Sequence, residues 1–304
     1  MKNDLLDFVF AQCQIEFMTS HGFKISELPE LKTPILIAGF GGWGNALDIS
    51  RGMATYLIRK LDARLFASID PDVFFRYDVL RPEVDIKDGA LVRFDPPGGS
   101  IYAVHLDAGP NDLVVLEADE PNLQWNRFAK ELFSLCRKLG VKTVITLGSM
   151  YDNVLHSDRI ISGIASHEDA LSRLKQKGVI PVSYQGPGAV HSTLQFESVK
   201  QGFQCISLWC HCPYYLQNTK HYGLLSHLAS VLSFLGEFEL DTQDLETRWK
   251  VIESQIGEII ENSGELQAMI DNIRKAKVRG TWQDMKKSTK GEKVIDLSDF
   301  LPPR

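Results

Sequence analysis

Long apolar runs, positive charge and cysteine are all in short supply in this 304-residue sequence, and each shortage excludes something. No apolar stretch approaches the roughly 20 residues that cross a bilayer, so a membrane-spanning role is not expected. The 33 Lys and Arg are outnumbered by 39 Asp and Glu, and a net charge of -6 argues against nucleic acid as the main partner. The five cysteines (Cys13, Cys136, Cys205, Cys210 and Cys212) are odd in number and irregularly spaced, which fits a reducing cytosol better than a disulfide framework. Asp4 and Asp7 interrupt Leu5, Leu6, Phe8 and Val9, so no signal peptide is read at the start. The expectation is a soluble cytoplasmic protein. Catalytic signatures are missing as well: there is no Gly-Lys-Ser/Thr and no Gly-x-Ser-x-Gly elbow.

What is present is a large apolar content, 44%, enough for a sizeable α/β core. The chain is organised around Ile35-Leu-Ile-Ala-Gly-Phe-Gly-Gly-Trp-Gly-Asn45. Ile35 to Ala38 reads as a strand buried on both faces. Gly39, Gly41, Gly42 and Gly44 then permit a sharp turn, and Asn45 is suited to cap the helix carrying Leu47, Met53, Leu57 and Ile58. A strand, a glycine loop and a helix N-terminus form a cradle for an anion or for a neighbouring backbone. The spacing satisfies G-x-G-x-x-G, yet no acidic residue ends a second strand where a ribose partner belongs, because Asp62 is too early and Asp70 lies in a turn. A structural turn that lets Trp43 plug a neighbouring surface is therefore favoured over a nucleotide site.

Further strands are expected at Arg64 to Ile69, Leu113 to Leu116, Val141 to Leu147 and Gln204 to Trp209. Between Tyr77 and Leu106, short β segments separated by Asp88-Gly89 and Pro96-Pro-Gly-Gly99 read as hairpin chemistry. Strand and helix passages in series predict a three-layer α/β/α sandwich with a mostly parallel sheet. Leu245, Trp249, Ile252, Ile256 and Ile259, continued by Leu266, Met269, Ile270 and Ile273, form an apolar stripe of a C-terminal helical hairpin or of a subunit contact. The division expected is an N-terminal extension (1–30), an α/β/α core (31–236), a helical subdomain (237–278) and a flexible lysine-rich tail (279–304).

Glu117, Asp119 and Glu120 follow a parallel strand on the side where such sheets collect ligands. They suit acid–base work or an oxygen-ligated cation, but capping of the helix after Pro121 is the favoured reading. Cys210-His-Cys212 lacks the paired knuckles of a zinc site, and packing of the two cysteines is favoured. A hydrolase could be drawn from Ser149 and His156 with Asp119 or Asp152. Together, Gly41, Gly42, Trp43, Asn45, Glu117, Asp119, Glu120, Gly148, Ser149, His156, Tyr184 and Gly186 are the candidate cleft residues, with no catalytic assignment, metal or cofactor among the expectations.

The blocks Pro34-Ile-Leu-Ile-Ala-Gly-Phe-Gly-Gly-Trp-Gly-Asn45, Arg81-Pro82, Glu117-Ala-Asp-Glu-Pro121, Thr146-Leu-Gly148, Tyr184-Gln-Gly-Pro187 and Ser207-Leu-Trp209 occur in an order that resembles the proteasome assembly chaperone 2 family. The resemblance implies a phosphorylase/hydrolase-like fold, self-assembly, often as a trimer, and a scaffold or assembly-chaperone role without established catalysis. It leaves room for a second protein complex as partner, and none for nucleic acid or membrane. The chain ends Phe300-Leu-Pro-Pro-Arg304, without the tyrosine of the tail by which some archaeal relatives bind proteasome rings. Bacterial relatives often carry an ATP-grasp carboxylate–amine ligase label, but no lysine-bearing glycine loop or paired metal carboxylates of that kind stand here. An enzyme or small-molecule binder using the cleft at the strand ends is the alternative expectation.

Overall fold

A computed structural model of the chain describes residues 18–20 and 22–278, with side chains described from 22 to 275. The elements in chain order are β1 (Met18–Ser20), β2 (Phe23–Ile25), β3 (Ile35–Phe40), α1 (Ile49–Lys60), β4 (Arg64–Ile69), α2 (Pro71–Phe74), β5 (Glu83–Lys87), β6 (Ala90–Asp95), β7 (Gly99–Val104), β8 (Leu113–Ala118) and α3 (Trp125–Leu139). They continue as β9 (Thr143–Asp152), β10 (Ile161–Ala165), α4 (Glu168–Gln176), β11 (Ile180–Pro181), α5 (Val190–Gln201), β12 (Gln204–Pro213), α6 (Tyr222–Gly236), α7 (Gln243–Glu261) and α8 (Gly264–Val278).

Ten strands form one sheet in the order β1-β2-β4-β7-β8-β3-β9-β12-β10-β11, and β5 with β6 forms a separate two-stranded hairpin. The parallel character expected of the sheet belongs to its centre, where β8, β3, β9 and β12 pair in parallel. On one flank β2, β4, β7 and β8 pair antiparallel, as β10 and β12 do on the other. The cause is the chain between β4 and β8. After the hairpin it returns as β7, antiparallel to both neighbours, which leaves β4 pointing the same way as β3 but two strands away from it.

The central strands are covered on both faces, and their residues divide by parity. Ile35, Ile37, Val115, Ile145, Leu147, Ile206 and Leu208 join Met53 and Leu57 of α1, Leu174 of α4 and the leucines of α6. Leu36, Ala38, Phe40, Val114, Leu116, Val144 and Cys205 join Phe128, Leu132 and Phe133 of α3 and Leu194 of α5. The C-terminal stripe packs onto the first of these clusters: Leu245, Trp249, Ile256, Leu266 and Ile270 are buried there. The core also begins before Leu31, where the extension was expected to end, since Phe23 and Ile25 of β2 are buried against Phe74 and Phe128. The start of the N-terminal extension and all of the lysine-rich tail lie outside the described residues. Among the described residues no helix is long and apolar enough to cross a membrane.

Candidate functional site

The glycine stretch turns at the C-terminal ends of the parallel strands. Gly41 donates its N–H to Ala118 O at 2.7 Å, tying the end of β3 to the end of β8. Gly42 follows at φ +92°, a left-handed conformation that a side chain would strain. Helix α1 starts at Ile49, later than expected, after a short 3-10 turn over Ala46–Asp48 in which Leu47 and Asp48 both take positive φ. Asn45 nevertheless serves the helix from a distance: its Oδ1 accepts the Arg51 N–H at 3.1 Å and its Nδ2 donates to Asp48 Oδ1 at 3.0 Å. One orphan N–H in the first turn of α1 is thereby satisfied by a residue outside the usual cap position.

Each carboxylate of the acidic turn is already bonded within the protein. Arg51 lies between two carboxylates, with Nε on Glu117 Oε1 at 2.9 Å and Nη1 on Asp119 Oδ1 at 2.7 Å. Burial works against the Arg51 charge, yet the Glu117 hydrogen bond and the nearby Asp119, Glu117 and Asp48 charges hold its pKa above the ordinary value. Asp119 Oδ2 also accepts Gly98 N–H at 3.0 Å. Glu120 does cap a helix, but not the one after Pro121: Oε1 accepts the Val190 N–H at 2.8 Å, at the first residue of α5, while Oε2 accepts Trp43 N–H at 3.4 Å. Helix α3 instead begins after Gln124, in a left-handed conformation and without a side-chain cap.

Trp43 is 63% exposed and meets Trp209 edge-on at 6.5 Å between ring centroids. Gly148 lies directly against the Trp209 ring, which packs in turn on the buried His191. Ser149 is buried, takes Gly44 O through its N–H at 2.8 Å and donates its hydroxyl to Ala46 O at 2.8 Å. It makes no hydrogen bond with His156, so the hydrolase drawn from that pair is not assembled. His156 belongs elsewhere, its Nδ1 2.9 Å from the hydroxyl of the buried Tyr215, where burial lowers its pKa. Tyr184 and Gly186 sit in the exposed loop before α5, the Tyr184 hydroxyl donating to Pro187 O at 3.0 Å. The 39–45 loop, the acidic turn, Gly148, Ser149 and the start of α5 are thus one connected rim. A cleft of about 410 Å³ beside it is lined by Arg51, Arg81, Pro97, Ser100, Glu117 and Asp119, among others.

Cys210 and Cys212 face the core cluster of α1 and α6, whereas His211, between them, faces the other way, so the three cannot converge on a metal. Burial pushes the Cys210 thiol up to about 12 and raises Cys212 too. His211 instead sits in an arrangement that sequence spacing does not reveal. Its Nδ1 is 2.7 Å from Asp152 Oδ2 and its Nε2 is 2.7 Å from Ser162 Oγ. The three residues come from adjacent strands, β9, β12 and β10, and nothing in their separation along the chain announces a contact.

Residues 36–260 match the PAC2 family. A proteasome-assembly chaperone homologue from Mycobacterium tuberculosis is 25% identical, with a TM-score of 0.71 over 78% of this chain and 99% of that one. A PAC2 family protein from Streptomyces avermitilis is 23% identical, with a TM-score of 0.70 over 78% and 99%. An archaeal proteasome activator from Pyrococcus furiosus is 18% identical, with a TM-score of 0.61 over 78% and 97%. A search of curated proteins finds no match.

Proposed function

The chain belongs to the PAC2 family, and from that premise we propose that it is an oligomeric scaffold of assembly-chaperone type, acting through protein surfaces in the cytoplasm. The observation that carries this reading is the β5–β6 hairpin. Val84, Ile86, Leu91, Val92 and Phe94 are each at least 51% exposed, and no residue of the hairpin is buried. A two-stranded sheet with apolar side chains in water is marginal, and three or more strands or a packing partner are needed to hold it. Among the described residues its strand edges are also unpaired, because β5 and β6 pair with each other alone.

A second copy of the chain is the partner that fits. An identical hairpin brings the same strand lengths and the same apolar residues, so the free β5 edge of one copy can take the free β6 edge of the next, a heterologous contact that closes into a ring. Arg93 is ringed by Glu83, Asp85 and Asp95 of its own hairpin, so its charge is met within one copy and the contact between copies rests on the apolar side chains. A trimer is the assembly size in this reading, in keeping with the family. The Pyrococcus furiosus relatives, a proteasome activator and a proteasome-assembly chaperone homologue, extend the proposal to a second protein complex as client. The 237–278 helices are read as an appendage of the core, which starts at β2, and the ATP-dependent ligase label plays no part.

Light scattering on a sizing column tests the proposal with Ile86→Lys and Phe94→Lys. The unaltered chain is expected to run as an oligomer and the double variant as a folded monomer with an unchanged circular dichroism spectrum. A monomeric unaltered chain at tens of micromolar overturns the proposal.

A further inference from the structure

Asp152, His211 and Ser162 form a hydrogen-bonded chain whose order of groups is that of a nucleophilic relay. The Asp152 carboxylate can only accept, so the His211 nitrogen facing it, Nδ1, carries the proton. That fixes Nε2 as the basic nitrogen, and Ser162 Oγ donates to it at 2.7 Å. The side chains are 28% exposed for Asp152 and 11% for His211, and Ser162 is 4% exposed as a residue, so the hydrogen bonds are shielded from water while the carboxylate end stays open. Holding three polar groups in such a place costs desolvation that three apolar side chains would avoid, and a structural tie between β12 and either neighbour needs only one of the two bonds. The relay stands towards the C-terminal ends of β9 and β12, where open α/β sheets take ligands.

We propose that Ser162 is an activated nucleophile for acyl transfer, with His211 as its general base and Asp152 as the positioning residue, and that the substrate is a small carboxylic ester with a slim acyl group. The size limit follows from the small exposed area of Ser162. Ser162 is also only one two-residue strand, β11, from the edge of the sheet. In the step, Ser162 Oγ bonds to the carbonyl carbon as its proton passes to His211 Nε2. The ester C–O bond breaks, and the alcohol leaves with that proton. Water then attacks the acyl-serine with His211 again as base, releasing the acid and restoring the serine.

The test uses the full-length chain and a small alkyl fluorophosphonate, followed by intact-mass and peptide-mapping spectrometry. The reagent forms a Ser162 Oγ–P bond, expels fluoride, and passes the serine proton through His211 to solvent. One adduct on Ser162 is expected, absent in Ser162→Ala, with the labelling rate in His211→Gln and Asp152→Asn lowered about a hundredfold or more. No adduct on the unaltered protein, an adduct that survives Ser162→Ala, or equal rates in His211→Gln each overturns the assignment. Should a variant fail to fold, the mapped adduct on the unaltered chain still decides.

Discussion

Acid should weaken this protein through two histidines held neutral in its interior. His191 is buried under Trp209, with Nε2 2.7 Å from Leu147 O and Nδ1 without a hydrogen-bond partner. His221 is stacked on Trp249 at 3.9 Å and caps α6 by accepting the Leu224 N–H on Nδ1. Burial pushes His191 down to about 4 and His221 down to about 3, from an ordinary value of 6.5. Both folded values are depressed, so the unfolded chain binds the protons first. Stability is therefore full above about 6.5 and is lost as the pH falls towards the folded values. One pKa unit corresponds to about 1.36 kcal/mol, so between about pH 7.5 and about pH 5 each histidine removes about 2 kcal/mol, and the pair about 4. Urea unfolding at fixed ionic strength reads this directly, as the extrapolated stability at the two pH values. His191→Gln keeps an N–H able to reach Leu147 O, and His221→Asn keeps an acceptor for Leu224 N–H. Each is expected to cancel about half of the loss assigned to the pair. An acid loss identical in the unaltered chain and both variants would refute the assignment of these rings as the acid-sensitive groups.

Two perturbations probe the rim itself. Gly39→Ala places a Cβ against the backbone carbonyl of Ser50 in α1, which cannot swing aside as a side chain could, so a loss of about 1–3 kcal/mol is expected in urea unfolding. An unchanged midpoint would show that α1 can move off β3. Glu120→Gln weakens the cap on α5 and the bond to Trp43 N–H, for about 0.5–2 kcal/mol. Amide exchange should then quicken at 41–43 and at the start of α5, and no local change there would count against the tie between the two segments.

Much of the architecture was legible because it is written in local periodicity. The buried run Ile35 to Ala38, the strand Arg64 to Ile69 with its Asp70-Pro71 stop, and the Asp88-Gly89 hairpin turn all depend on neighbours in the chain, and all stand as strand, strand end and turn. What escaped was set by distant partners. Glu120 looked like a cap for the next helix and caps α5, 70 residues on, because β8 and β3 end side by side with the start of α5 above them. Asn45 looked like the start of α1, but the left-handed Leu47 and Asp48 delay it to Ile49, and nothing in Leu47 signals positive φ. Sequence spacing sets Cys210, His211 and Cys212 side by side and gives His211 no partner of its own. Strand alternation puts it on the opposite face, where its partners come from β9 and β10.

The way the rim satisfies its own charges bears on where partners bind. A carboxylate already held by a guanidinium or a backbone N–H must lose that bond before it can serve a ligand. Here Arg51 takes one oxygen from each of Glu117 and Asp119, Gly98 takes the other oxygen of Asp119, and Val190 and Trp43 share Glu120. These bonds join β3, β8, α1 and α5 at one end of the sheet, so the acidic turn works as a clamp on the fold. The hairpin is the reverse case. Its polar residues pair among themselves and its apolar side chains face water, so association there disrupts no existing bond and removes exposed apolar surface. On that contrast the hairpin is where the proposed assembly puts a protein partner. The acyl transfer proposed for Ser162, His211 and Asp152 is separate from that surface, and Ile86→Lys with Phe94→Lys should abolish assembly while leaving fluorophosphonate labelling of Ser162 intact.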